Sequence, residues 1–298
     1  MRIAFFGLPL AALALEREGH ELAIAAVCRK GAPGTRRLRR KLGDARVLVR
    51  PNAMDARFVE RIRALQVDLV VSWFWTTKIP SALVACARLG GFGVHPSLLP
   101  RWRGPDPCFW AIDAGDAETG VTAHRLDAQY DTGAMLGQRA IAIEPTWNAW
   151  ELARALDRPS LALLVETARA FGAGTLPREL AQDASLATEA PSPSEAMLEI
   201  EWGCDAASIV RRVRAAAPYP GAWTFIGDEA LVLTRAEETR APPGLVAGEA
   251  ALIEGVAVVA SGRGGVALLD GRVVMDDDRE RAVDKSGIAA LMASASAK

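Results

Sequence analysis

Through the first half of the chain, short apolar runs alternate with windows of helical period, and this alternation constrains the fold more than any other feature. Arg2–Phe6, Leu22–Val27, Arg46–Val49 and Val67–Ser72 read as strands. Between the last two, Asp55–Gln66 places Phe58, Ile62 and Leu65 at spacings of four and three, the period of a helix with one buried face. Strands separated by helices do not close as hairpins. They need crossovers, which are right-handed and cover the faces of a parallel sheet. Gly91–His95 is a fifth strand, and Val121–Leu126 and Ala134–Ile143 form a further pair turned at Asp131-Thr132-Gly133. A long helix is expected over Trp147–Phe171, with Pro159 breaking or kinking it.

The first twenty residues, MRIAFFGLPLAALALEREGH, imitate a secretory leader: a basic second residue, an apolar stretch and Ala-Leu-Ala. The structural reading is preferred, with a strand, a turn at Gly7-Leu8-Pro9 and a helix from Pro9 to Arg17, because removing them would remove the first strand of the pattern. Residues 176–197 are rich in Pro, Ser, Ala and Asp without a sustained period and read as a linker. Beyond a helix at Ala206–Ala216 the texture changes to short strands separated by glycines every eight to twelve residues, as in a small barrel or sandwich. At 298 residues two domains are expected: 1–175, the linker 176–197, and 198–298.

Composition excludes several classes. A net charge of −1 gives no overall attraction to nucleic acid or membrane, and no apolar run approaches the ~18 residues of a membrane span. A cytoplasmic location is expected. The four cysteines have neither paired nor metal-ligand spacing and read as small buried hydrophobes in a reducing compartment. With three scattered histidines and no HExxH, a metal site is not expected. Gly7 stands alone after the first strand without a GxGxxG, which weakens a dinucleotide or hydride-transfer reading.

Open α/β sheets bind ligands outside the carboxyl ends of their strands. His95 sits at such an end, in GFGVHPSLLPRWRG. A lone histidine beside apolar residues is more often structural than catalytic. Here, however, Pro96 and Pro100 stiffen the following loop and Arg103-Gly104-Pro105 closes it, and a titratable group on a rigid loop suits general acid–base work. Asp131 either caps its own turn or takes part in chemistry.

GVHPSLLPRWRG, the helix PCFWAIDAGD and ETGVTAHRLDAQYDTGAML together strongly resemble the formyltransferases that use 10-formyltetrahydrofolate, and among them the enzymes that formylate methionyl-tRNA. MRIAFFGLP and VRAAAPYPGAWTFI extend the resemblance over nearly the whole chain. It implies a Rossmann-like, mostly parallel sheet domain followed by a small, OB-like β-barrel. It implies that an amine attacks the formyl carbon of the folate co-substrate. His95 would then serve in proton transfer and in stabilising the tetrahedral intermediate, and Asp131 would orient His95. The folate is expected along the strand ends near Trp73, Phe74 and Ile79, with Leu98 and Asp127 completing its site. Ser97, Arg103 and Thr132 would be loop scaffolding.

At one position the chain departs from this family. The family carries an asparagine two residues before the histidine, where its amide donates to the developing oxyanion; here Gly93 occupies that position. Loss of one such donor costs roughly 10²–10³ in rate. Asn52 and Asn148 are distant in sequence. Three readings stay open: another donor replaces the amide, the enzyme is slow or uses another acyl donor or acceptor, or the chain has kept the fold and binds folate or nucleotide without the reaction.

The acceptor is read from charge. CRKGAPGTRRLRRKLG holds seven basic residues between Arg29 and Lys41. By the resemblance this is where tRNA would be met, through Arg36, Arg37, Arg39 and Arg40. A solvated basic helix face is the competing reading. Residues 197–298 carry 15 acidic and 11 basic residues, with three consecutive aspartates at 276–278, which points away from tRNA and keeps a small amine, such as a nucleotide-linked amino sugar, as the alternative acceptor.

Overall fold

The computed structural model describes residues 1–175, 178–275 and 279–296; the three aspartates at 276–278 lie outside the described residues. The chain divides into two units, the first made of residues 1–107, 118–142 and 154–191, the second of 108–117, 143–153 and 192–298.

The first unit opens with β1 (Arg2–Gly7), α1 (Pro9–Arg17), β2 (Glu21–Val27), α2 (Thr35–Leu42), β3 (Val47–Val49), α3 (Ala56–Ala64), β4 (Leu69–Trp73), α4 (Ser81–Val84) and β5 (Gly91–His95). The chain continues through α5 (Pro107–Asp113), β6 (Glu118–Arg125), β7 (Met135–Ala142) and α6 (Ala149–Ala173). The seven strands form one sheet in the order β3-β2-β1-β4-β5-β6-β7. The first five pair in parallel, while β6 and β7 are added antiparallel. This is a Rossmann-like, doubly wound arrangement in which the first strand lies mid-sheet and the order reverses beside it.

Burial explains these positions. β1, β2 and β4 are buried along almost their whole length because both faces of a parallel sheet are covered, whereas β7 at the edge buries only Leu136 and otherwise alternates between half-buried and exposed residues. The leader-like run is therefore a central strand, with Ile3, Ala4, Phe5 and Phe6 fully buried. α1 begins at Pro9 as read from the sequence, with proline in the first turn where its missing N–H costs nothing. α3 starts behind Asp55, whose carboxylate accepts from the Arg57 N–H.

The expected break at Pro159 does not occur: α6 runs through it without interruption. An internal proline costs ~3 kcal/mol. Leu152, Leu156, Leu163, Leu164 and Phe171 are all buried from this helix, and each such burial contributes ~1.5–3 kcal/mol, so packing outweighs the lost bond. After α6, the described part of the expected linker that belongs to the first unit is hydrogen-bonded to it. Arg103 N–H donates to the Thr188 carbonyl at 2.8 Å, and Met135 and Leu180 exchange backbone bonds at 2.8 and 3.0 Å.

The second unit holds α7 (Glu195–Leu198), α8 (Ala206–Ala216), β8 (Ala222–Ile226), β9 (Glu229–Thr239), β10 (Ala250–Ile253), β11 (Val256–Ala260), β12 (Gly265–Val274), β13 (Glu280–Asp284) and α9 (Lys285–Ser296). Its antiparallel sheet has the order β10-β11-β12-β9-β8, with β13 also paired to β12. Register shifts around Asp270 bend β12 and help to curl the sheet into a half-barrel. α8 is capped by the Asp205 carboxylate on the Ser208 N–H at 2.8 Å, and its Arg212 pairs with Asp113 at 2.6 Å.

Candidate active site

β5 is the strand that carries the site. In register, Gly93 lies between Ser72 of β4 and His124 of β6, so these three positions form one row across a single face of the sheet. His95, two residues on, shares that face. Trp73 and Val94, paired to each other, belong to the opposite face. His95 and His124 are both buried, and their rings lie edge to face with centroids 6.4 Å apart.

The loop after His95 is fixed from several sides. Ser97 Oγ donates to the Arg101 carbonyl at 2.6 Å, and Thr122 Oγ1 donates to the Ser97 carbonyl at 2.7 Å while accepting from Leu99 N–H at 3.0 Å. Trp102 N–H donates to Thr188 Oγ1 at 2.9 Å. The Arg103 guanidinium donates to Gln182 Oε1 at 2.8 and 3.0 Å, and Gln182 Nε2 donates to the carbonyls of Asp131 and Gly133, both at 2.8 Å. One glutamine thereby ties the histidine loop to the aspartate turn. Phe74, Trp102 and Asp131 hold positive φ of 54°, 62° and 56°. Such conformations cost ~1–3 kcal/mol each and persist only where the surroundings impose them.

His95 Nε2 lies 2.7 Å from the Trp102 carbonyl oxygen. A carbonyl only accepts, so Nε2 carries a hydrogen and Nδ1 is the atom left for chemistry. Nδ1 faces Asp131 Oδ2 at 3.4 Å. The same Oδ2 accepts from the Gly104 N–H at 3.1 Å. Gly104 has φ of 123°, and a Cβ there would lie 2.8 Å from the Ala190 carbonyl oxygen, so this N–H is presented by a backbone only glycine adopts. On the other side of the carboxylate, His124 Nε2 lies 3.5 Å from Asp131 Oδ1, and His124 Nδ1 lies 2.9 Å from the Arg125 carbonyl. Burial pushes the His124 imidazole below its ordinary value, opposed by the Asp131 charge and reinforced by His95.

Gly93 has no conformational reason to be glycine. Its backbone is ordinary, and an added Cβ would meet Leu126 Cδ2 at 3.4 Å, Ser72 Cβ at 3.5 Å and His124 Nε2 at 3.6 Å, which are ordinary contacts. The first side-chain atom of the Asn expected from the resemblance would therefore fit here without a clash. Neither Asn52 nor Asn148 replaces it. Asn52 caps its own turn through Met54 N–H at 3.0 Å, and Asn148 accepts from Glu151 N–H at 2.9 Å.

The structure brings His95 and Asp131 together and distributes the other expected residues. Trp73 is 2% exposed on the face opposite His95, and its indole N–H donates to Ser160 Oγ of α6 at 2.7 Å. Phe74 packs edge to face on Trp73, with ring centroids 4.7 Å apart. Ile79 is buried in the cluster around Phe6, Phe58 and Ile62. Leu98 is half-buried, its Cδ2 lying 2.6 Å from where a Cβ on Gly120 would stand. Asp127 is exposed and braces the aspartate turn, accepting from Thr132 Oγ1 at 2.8 and 2.9 Å and from Gln129 N–H at 3.1 Å. Sequence reasoning missed His124, Gln182 and the Trp102 carbonyl. Among only three histidines, the period-two placement of His124 in GVTAHR was the one signal that would have found it. Among the described residues no group of three His, Cys, Asp or Glu is arranged to hold a metal ion.

The described residues thus hold a Rossmann-like sheet with a histidine–aspartate pair at its strand ends, and an antiparallel half-barrel. The sequence profile of the formyl transferase family matches residues 5–168, and that of the formyl transferase C-terminal domain matches residues 194–283. The chain belongs to the formyl transferase family. It is 35% identical to the methionyl-tRNA formyltransferase of Anaeromyxobacter dehalogenans over 291 residues, 93% of each chain. Against that of Acidiphilium cryptum it is 35% identical over 251 residues, 80% of this chain and 81% of the other. Among solved structures, an N-formyltransferase of Helicobacter canadensis in complex with folinic acid and dTDP-3-aminofucose has the same fold. It matches at a TM-score of 0.67 and 15% identity, covering 89% of this chain and 98% of the other. HypX of Aquifex aeolicus with tetrahydrofolic acid matches at a TM-score of 0.66 and 19% identity, covering 97% of this chain and 46% of the other.

Proposed function

We propose that this chain transfers the formyl group of 10-formyltetrahydrofolate to a primary amine, and that the amine is methionyl-tRNA. The observation that carries the reading is the His95–Asp131 pair, fixed at the end of β5 by the Trp102 carbonyl and the Gly104 N–H. In this reading the acceptor nitrogen attacks the formyl carbon, the carbonyl electron pair moves to oxygen, and the bond to the folate nitrogen then breaks. The acceptor loses one proton and the leaving folate nitrogen gains one. His95 Nδ1 is the position from which a proton meets the developing oxyanion, because Nε2 is committed to a backbone carbonyl. Asp131 stabilises the imidazolium form and keeps the ring facing the reacting centre. Phe74, Leu98 and Asp127 are assigned to the folate site with Ile79, and Trp73 supports it from the opposite face.

The acceptor assignment is supported by the identity to methionyl-tRNA formyltransferases over 93% of the chain and by the basic face of α2. The amino-sugar alternative is supported by the fold match to the sugar N-formyltransferase. Incubating the purified protein with the folate donor and either charged initiator tRNA or dTDP-linked amino sugars separates them. Tetrahydrofolate release only with the tRNA is expected. Release only with the sugar nucleotide would replace the acceptor, and folate binding without release on any amine would leave a binding protein.

A further inference from the structure

His124 is a buried histidine that the formyl-transfer chemistry above does not use, and its surroundings restrict which of its atoms hold hydrogen. Its Nδ1 lies 2.9 Å from the Arg125 carbonyl, as His95 Nε2 lies 2.7 Å from that of Trp102. Both carbonyls are acceptors only, so each ring spends one hydrogen on backbone. In neutral rings the remaining nitrogens, His95 Nδ1 and His124 Nε2, would be bare lone pairs. Both face the same carboxylate, one toward each oxygen, at 3.4 and 3.5 Å. Two lone pairs turned toward an anion in a buried site repel it, and one added proton converts a repulsive contact into an N–H facing a carboxylate oxygen.

We infer that His95, Asp131 and His124 hold one proton in common in the resting site, and that His124 is a positioning residue that fixes the second oxygen of Asp131. The other groups facing this set do not replace it. The Gly104 N–H serves Oδ2, Asp127 is engaged by Thr132 and Gln129, and the Arg125 guanidinium turns away to Glu179 and the Leu89 carbonyl. On the β5 side of its row Gly93 sets no side chain beside the His124 ring, whose Nε2 lies 3.6 Å from where a Cβ would stand. A second proton is resisted, since burial and the adjacent His95 hold the His124 imidazolium down. The sign for stability follows. While the native site holds its single proton, the unfolded chain binds none well above pH ~6.5 and two well below it, so stability rises as pH falls toward that value and is lost as pH drops below it.

The catalytic consequence rests on the formyl-transfer reading; the protonation does not, and it is measured on the full-length protein without folate or acceptor. In protein labelled with 15N-histidine, the imidazole resonances are followed from about pH 9 to 5, with His20→Gln identifying the third ring. The expected result is that the His95 and His124 signals move together in a first, shared step, followed by a second at lower pH. Independent single-site curves, or two neutral rings throughout, would overturn the inference. His124→Gln keeps an amide N–H for Asp131 but cannot titrate. It is expected to fold, to turn the His95 signal into a single-site curve, and to flatten the loss of stability toward acid. It should lower kcat roughly tenfold with KM for the folate nearly unchanged, and remove one ionisation from the pH–rate profile. An unchanged kcat and profile would show that His124 positions nothing. A variant that fails to fold leaves the wild-type titration to decide.

Discussion

Two arginine-bearing regions of the first unit are built in opposite ways. In the loop from Pro96 to Gly104, Arg103 is committed to Gln182, Arg101 stacks over Trp102 at 4.2 Å, and backbone bonds hold the loop on both sides. In α2, Leu38 alone is buried, and Arg36, Arg37 and Arg40 are exposed without an ion pair among the described residues. Arg39 has only an exposed contact to Asp44 at 3.5 Å. The difference teaches what packing alone specifies. The loop that carries His95 is determined by the packed chain, whereas α2 offers a solvated charge distribution; in the function proposed above, the first would serve the reacting centre and the second the acceptor.

The comparison is tested hardest at His95. His95→Ala should lower kcat by roughly 10²–10⁴ with either acceptor, measured as tetrahydrofolate release, while folate binding persists. A variant with wild-type turnover would remove the loop from the chemistry. Replacing Arg36, Arg37, Arg39 and Arg40 together by Ala is expected to act on the tRNA alone, weakening binding and reducing the slope of log K against log salt by up to about four, one for each lost phosphate contact. Formylation of a small free amine should not change, and an equal loss with both acceptors would end the division of labour between the two regions. Gly93→Asn sharpens the fixed side of the comparison. The added Cβ is accommodated, and the amide is expected to raise kcat by roughly tenfold, part of the 10²–10³ that one oxyanion donor is worth, because it shares its space with His124. A fall in kcat in a folded variant would show that the row beside His124 already holds its full complement of donors. The smallest effect is on stability alone. Trp73→Phe removes the indole N–H that serves buried Ser160 and should cost ~1–3 kcal/mol in denaturant unfolding, with catalysis nearly unchanged. A large loss of folate affinity instead would show that Trp73 itself contributes to the folate site.

Much of this was legible because periodicity and proline placement are local signals. The apolar runs foretold β1 to β7, and Pro9 marked the start of α1. His95 stood out by its rarity and its stiff loop. The course of α6 through Pro159 was not legible, because it depends on burial of side chains up to twelve residues away in sequence. The face to which Trp73 turns was likewise hidden. An apolar residue at a strand end suits either face, and only the pairing Trp73–Val94 settles it. Gln182 lay in a segment whose composition suggested a linker, and its two bonds to the aspartate turn come from 49 and 51 residues away. Such contacts leave no mark on local sequence.

That clasp also orders events during synthesis. The sheet strands and both halves of the histidine–aspartate pair leave the ribosome before the residues that lock them, since Gln182 and Thr188 follow Asp131 by 51 and 57 positions. At about 5–20 residues per second, this is roughly 3–10 s in which a nascent chain carries both His95 and Asp131 without the side chains that clasp them. Chains stalled or truncated before Gln182 would therefore carry the motifs by which such an enzyme is recognised while lacking the contacts that make them an active centre.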